Sequence, residues 1–277
     1  MDIQPLTRRI DQLAFWFVVL NTMTASLLLV YHPDLLAYLH GEDRYSENAG
    51  AFFLLLTGVL LLLSAFHLRR RGKEDNDFVW WQFLMVLLAG IVFIIGFGEE
   101  ISWGQRIFQV QTPEAIKEVN RQNEMNLHNF DTRIFNNAVE SAVLLMILIP
   151  TIWMHRGKGR CLGFPIPSYW IILSLQMSAA YVTYSYVKVQ DCLVYLILIY
   201  FIYIHARSKN RVKLFYAGCA AAVIIIEGLV NYTFEHNFHT NGPREIREYL
   251  LSFIFLAFAF TIYIDSKYRR RSGVAEA

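Results

Sequence analysis

The chain has 277 residues, of which 55% are apolar and 17% charged, and its formal net charge is +2. Soluble domains carry about a quarter charged residues, and a protein of this size cannot bury so much apolar surface with so little charge to coat it. This excludes a soluble globular enzyme and a basic nucleic-acid-binding face. Three scattered cysteines, Cys161, Cys192 and Cys219, exclude a disulfide framework and a CxxC metal site.

In chain order, Met1–Arg9 leads into an apolar run too long for a signal-peptide core, so it is expected to stay as a first span. A helix needs roughly 20 apolar residues to cross the hydrocarbon. With that ruler the sequence predicts an all-α membrane protein with eight spans: 12–31, 49–68, 78–98, 136–155, 168–188, 192–206, 214–234 and 248–265. The fifth and sixth are separated only by Val189-Gln190-Asp191, read as a tight turn. Basic residues collect at Arg8-Arg9, Arg69 to Lys73, Arg156 to Arg160, Arg207 to Lys213 and Lys267 to Arg271, on alternate connections. Eight spans put all five clusters on one side, so both termini are expected in the cytoplasm. No long linker interrupts the chain, and residues 1–277 read as one integral-membrane domain.

The opposite side receives the acidic and histidine-bearing loops, about 32–48, 99–135 and 235–247. Carboxylates within spans cost roughly 2.5–3.5 kcal/mol each at mid-helix. Glu140 and Glu227 are such residues, and Glu99 and Glu100 join them at the outer end of span three. Glu227, Asn231 and Glu235 are four apart on one stripe, as are Asn136 and Glu140. Span five adds Ser174, Gln176, Ser178, Thr183 and Tyr184, too polar for a lipid-facing helix. These stripes are expected to converge on an outward-facing polar cavity, although the hydroxyls and Gln176 suit interhelical packing better.

Gly98-Glu99-Glu100-Ile101-Ser102-Trp103-Gly104-Gln105-Arg106 is the densest polar constellation. A continuous helix would put Glu99, Ser102, Trp103 and Arg106 on one face, with Arg106 pairing Glu99 or holding an anionic head group. Trp103 stands where interfacial tryptophans gather. Two adjacent carboxylates near hydrocarbon meet the electrostatic condition for general acid–base work, and equally for proton coupling. Thr112-Pro113-Glu114 then signals the start of an amphipathic helix running to about Leu127 on the outer membrane surface. On it Glu124 and His128 are neighbours, credible ligands for a divalent metal, zinc first; an ordinary Glu–His hydrogen bond explains the spacing too. His236 and His239 in the last outer loop are three apart and would add imidazoles to that site. Glu245 and Glu248 lie in the first turns of span eight, where acids suit the helix dipole regardless of function.

The stretch Gly98–Arg106, with Asn123-Glu124-Met125-Asn126-Leu127-His128-Asn129, resembles the signature of a family of uncharacterised multipass bacterial inner-membrane proteins. The resemblance implies a bacterial plasma membrane and one site built from both motifs, and supplies no activity. The lipid-directed hydrolases of the ceramidase and adiponectin-receptor type are similar in bundle scale and zinc chemistry. This sequence departs from them in its eight spans and in lacking their His-x-x-x-His ending.

Three functions are weighed. In the first, a metal-assisted hydrolase or transferase acts on a lipid or lipid-linked substrate. Glu124 and His128, helped by His236 and His239, hold the metal, and Glu99 and Glu100 supply metal-water contact and general base. Trp103, Gln105, Arg106, Glu140 and Glu227 border the substrate. In the second, the carboxylates are proton or cation sites of a carrier or channel, against which stands the lack of a matching ionisable path in the inner half. In the third, the outer Glu/His cluster serves a non-catalytic assembly partner or sensor. The bilayer itself is the one partner the composition requires.

Overall fold

A computed structural model describes residues 4–40, 44–75, 80–108, 110–114, 132–179, 181, 189–234 and 242–268. The helices are α1 (Gln4–Tyr31), α2 (Pro33–His40), α3 (Tyr45–Asp75), α4 (Trp80–Glu100), α5 (Gln105–Phe108), α6 (Thr132–His155), α7 (Tyr169–Ala179), α8 (Val189–Arg207), α9 (Arg211–Thr233) and α10 (Gly242–Tyr268). A 3-10 turn, Ser102–Gly104, links α4 to α5, and a two-stranded hairpin, β1 (Arg160–Cys161) and β2 (Phe164–Pro165), precedes α7.

Among the described residues, six helical stretches are long and apolar enough to cross a membrane: Pro5–Tyr31, Pro33–Arg70, Trp80–Glu100, Asn137–His155, Arg211–Thr233 and Gly242–Tyr268. The chain is therefore a multipass helical membrane protein. The expected sixth span corresponds to a shorter apolar helix, Cys192–Arg207, and the expected fifth to α7 over its described part. Helices α1, α3 and α10 overrun their expected bounds, because hydropathy marks only the stretch that matches the hydrocarbon while the helix continues beyond it. The turn expected at Val189-Gln190-Asp191 is instead the first turn of α8.

Packing contacts define two ends of the bundle. At one end Asp11 of α1 accepts hydrogen bonds from Thr261 of α10, at 3.4 Å, and from Ser168 just before α7. Tyr169 of α7 donates to the Lys213 carbonyl of α9 at 2.8 Å and lies edge-on to His205 of α8. His67 of α3 packs against Tyr263 of α10. Helices α1, α7 and α9 thus start where α3, α8 and α10 finish. The described members of all five basic clusters, among them Arg8, Arg70, Arg156, Arg207 and Lys267, lie at this end.

The hairpin locks the same end. Arg160 makes a two-pronged ion pair with Asp265 of α10, at 2.8 and 2.7 Å, and Gln82 of α4 donates to the Leu162 carbonyl at 3.1 Å. Trp81 of α4 stands edge-on to Phe164. Such fork-to-fork arginine pairs fix orientation as well as adding energy.

The core is α7. Every residue from Tyr169 to Ser178 is buried, with α1, α6, α8, α9 and α10 packed around it. A helix enclosed on all sides must satisfy its polar side chains internally. Ser174 donates to the Trp170 carbonyl, Ser178 to the Leu175 carbonyl, and Gln176 crosses to the Val194 carbonyl of α8 at 3.2 Å. The hydroxyls and Gln176 therefore serve packing; Thr183 and Tyr184 lie outside the described residues.

Helices α3 and α4 run antiparallel and approach closely at Gly58 and Gly90. A Cβ at Gly58 would sit 2.7 Å from Ile94 Cδ1 and 3.1 Å from the Gly90 carbonyl oxygen, and one at Gly90 would sit 2.9 Å from Leu62. Small residues that let backbones meet are a standard means of holding helices together in lipid. Gly58→Val and Gly90→Val are each expected to destabilise the protein by about 1–3 kcal/mol, the usual range for overpacking. Thermal unfolding in detergent checks this, with Gly218→Ala, whose Cβ meets nothing within 4 Å, as an unchanged control.

Candidate functional site

The expected continuous helix through Gly98–Arg106 is overturned. Helix α4 ends at Glu100, and Ser102, Trp103 and Gly104 take left-handed backbone angles, with φ of 47°, 54° and 77°. Bulky residues rarely adopt such angles. Here the turn folds the Trp103 indole back onto α4, where its Nε1 donates to Glu99 Oε1 at 2.7 Å. The indole lies directly on Gly98, where a Cβ would sit 2.9 Å from its Cε3. Trp103 is thus a lid on the buried Glu99 carboxylate as well as an exposed aromatic surface. Gln105, expected at a substrate head group, donates its amide to the buried Thr112 hydroxyl and braces the following loop.

The first turns of α10 form the hub of this end of the bundle. Arg244 Nε donates to Glu248 Oε1 at 2.8 Å, and Glu245 and Glu100 also lie within its electrostatic reach. Around Glu100 stand Glu248, Glu245, Glu47 of α3, and Arg244. One turn along, Arg247 Nη1 reaches Glu140 Oε1 of α6 at 3.3 Å. Two arginines of one helix terminus thereby hold carboxylates from α4 and α6. Beneath them lies an aromatic floor: Tyr249 of α10 packs against Phe17 of α1 and Phe53 and Tyr45 of α3. His40 of α2 lies edge-on to the same ring and pairs with the Ser46 hydroxyl.

Three carboxylates around the Arg244 guanidinium, with Glu47 beyond them beside Glu100, leave surplus negative charge where water is scarce. Such a group accepts a proton or a cation readily, and can pass a proton to a polar group that enters. Among the described residues, no three His, Cys, Asp or Glu side chains are placed to hold a metal ion. The expected metal residues Glu124, His128, His236 and His239 lie outside the described residues, as do the amphipathic helix beyond Glu114 and the side chains of Arg106 and Asn136.

Glu227 is placed differently from the other three carboxylates. It is buried on α9, among α1, α7 and α8, and accepts a hydrogen bond on Oε1 from Asn231 one turn along its own helix. Glu235, the next position of the expected stripe, lies outside the described residues.

Arg244, Arg247 and Glu47 are functional candidates that the sequence reading passed over. A signal existed: basic residues are unfavourable in the first turns of a helix, so two arginines three apart there call for nearby acids. Glu245 and Glu248, read as mere dipole partners, are two of those acids.

Arg247→Ala is expected to lower the thermal midpoint more than Glu140→Gln does, because glutamine still offers an oxygen to the buried guanidinium whereas alanine removes both the ion pair and the packed side chain. The double variant should recover part of the loss, with a coupling on the order of 1–3 kcal/mol for residues in direct contact. A double-mutant cycle in detergent measures it.

No family model matches this chain, and neither does any curated protein or solved structure.

Proposed function

We propose that this protein is a membrane-embedded hydrolase or transferase acting on a lipid or lipid-linked substrate at the acidic end of the bundle, with Glu100 as general acid–base. One observation carries the reading. Glu100 ends the least enclosed of the six spanning stretches among the described residues, and it stands among Glu47, Glu245, Glu248 and Arg244. An amphiphile lying in the bilayer along α4 meets that cluster with its head group and need not cross the bundle. Trp103 and Arg106 would border the head group, and Arg244 would orient its polar atoms. Glu99, bonded to the Trp103 indole, is a positioning residue in this scheme.

A divalent metal, zinc foremost, is part of the proposal through Glu124 and His128, with His236 and His239 as further ligands. It would polarise the scissile group or supply a bound hydroxide. The topology belongs to the same reading: eight spans, basic clusters and both termini in the cytoplasm of a bacterial cell, and the Glu100 cluster facing outward from its plasma membrane. Its support is the common end shared by the basic clusters.

Proteoliposomes made with total bacterial lipid extract test the activity, with products followed by mass spectrometry. Wild type is expected to convert at least one lipid species, and Glu100→Gln to do so at least about 100-fold more slowly, the usual minimum loss for a general acid–base group. Equal conversion by both proteins removes Glu100 from the role. Near-stoichiometric metal in wild type, lost in Glu124→Gln and in His128→Ala, is expected from inductively coupled plasma mass spectrometry; background metal in all three removes the metal from the scheme.

A further inference from the structure

Helices α1, α7 and α9 start at the same end and touch through three aromatic rings. Tyr216 of α9 is edge-on to Phe15 of α1, with centroids 5.0 Å apart, and to Trp170 of α7 at 5.8 Å. Eleven residues along an α-helix is three turns with only about 20° of residual rotation. Counting eleven from each ring gives Ser26, Tyr181 and Glu227. On helices that start at one end, this count sets Ser26 and Glu227 near one level, on the sides of α1 and α9 that carry the rings, with Tyr181 two residues past the end of α7. Tyr181 follows the end of α7, where its backbone N–H still bonds the Ser178 carbonyl and continues the turn.

All three residues are buried, at 5%, 2% and 1% exposure, and Thr22, one turn below Ser26 on the same face, is at 0%. Ser26 Oγ, Thr22 Oγ1 and Glu227 Oε2 are completely enclosed with no hydrogen-bond partner among the described residues. Serine and threonine hydroxyls within helices commonly back-bond to the carbonyl four residues earlier, as Ser174 does. Ser26 and Thr22 forgo even that. Asn231 fixes the carboxylate through Oε1, leaving Oε2 to the seam. Among the described side chains, Tyr181, Cys192 and Tyr195 are the other titratable groups near this level on α7 and α8, Asp191 stands in the first turn of α8, and Arg247 of α10 is committed to Glu140.

We propose that Glu227 Oε2, with the hydroxyls of Ser26, Thr22 and Tyr181, binds a dehydrated monovalent alkali cation, sodium by preference. The donors are all hard oxygens, the chemistry of an alkali or alkaline-earth ion and not of a transition metal. One carboxylate balances one positive charge, whereas calcium or magnesium would bring an uncompensated second charge into an apolar interior. Hydroxyls turn their lone pairs toward a cation without moving the helices. The site lies on the α1–α7–α9 seam and is independent of catalysis at Glu100.

The test uses the full-length protein in detergent, titrated with sodium, potassium or choline chloride at constant ionic strength, and followed by thermal unfolding. Sodium is expected to raise the wild-type midpoint saturably while choline does not. Glu227→Gln should lose the response, and Ser26→Ala should weaken the apparent affinity about tenfold or more while remaining folded. In parallel, dicyclohexylcarbodiimide, an apolar reagent for protonated carboxyl groups, is expected to label Glu227, and sodium to suppress the labelling, as read by peptide mass spectrometry. Labelling that ignores sodium would mean that Glu227 holds a proton only, and would overturn the proposal. A sodium response unchanged in Glu227→Gln and Ser26→Ala, or reproduced by choline, would overturn it as well.

Discussion

Two arginines in the first turns of α10 hold the acidic end of this bundle together. A helix N-terminus repels positive charge, so Arg244 and Arg247 are stable there because carboxylates of their own helix and of neighbouring helices surround them. Glu248 answers Arg244 within the helix, and Glu140 of α6 answers Arg247 across the bundle. The order in which α3, α4 and α6 surround α10 is thereby written in charge at one end, while apolar packing alone would tolerate several arrangements. Breaking such a pair strands a partly buried charge, which costs more than the pair itself contributes.

Helix α7 imposes the complementary constraint. Enclosed by five helices, it is buried from Tyr169 to Ser178, and it reads in sequence as a moderately polar span. Each of its buried polar side chains that finds a carbonyl in its own helix or in α8 makes the enclosure tolerable. Trp170 Nε1 and Gln176 Oε1 of α7 remain without a partner among the described residues, as do Ser26 Oγ and Thr22 Oγ1 on α1 and Glu227 Oε2 on α9. Native interiors rarely leave such atoms unmatched, and the oxygens of α1 and α9 are the ones that include a carboxylate.

The membrane-spanning character was legible because hydropathy over twenty residues is a strong, additive signal, and the paired basic clusters are likewise a property of the chain itself. Contacts between distant segments were not. Nothing in Glu245 or Glu248 announces that they face Glu100, since an acid in a first helical turn has a local explanation already. Trp103 was misplaced because its left-handed backbone depends on where α4 ends, and Gly98 offers room only once the chain has turned back upon it. Asp11 fell just outside a span drawn by hydropathy, yet it is buried and ties α1 to α10 and to the start of α7.

The β-hairpin makes the molecule mechanically unequal from end to end. It fastens the start of α4 to the finish of α10 through Gln82, Trp81 and the Arg160–Asp265 fork. Any tilt of α4 against α10 therefore pivots at that fastening, and the displacement grows with distance from it. The far tip of the lever carries Glu99 and Glu100. A tilt hinged at the basic end would displace those carboxylates most and the hairpin least, so the Arg244 cluster is the contact that resists it.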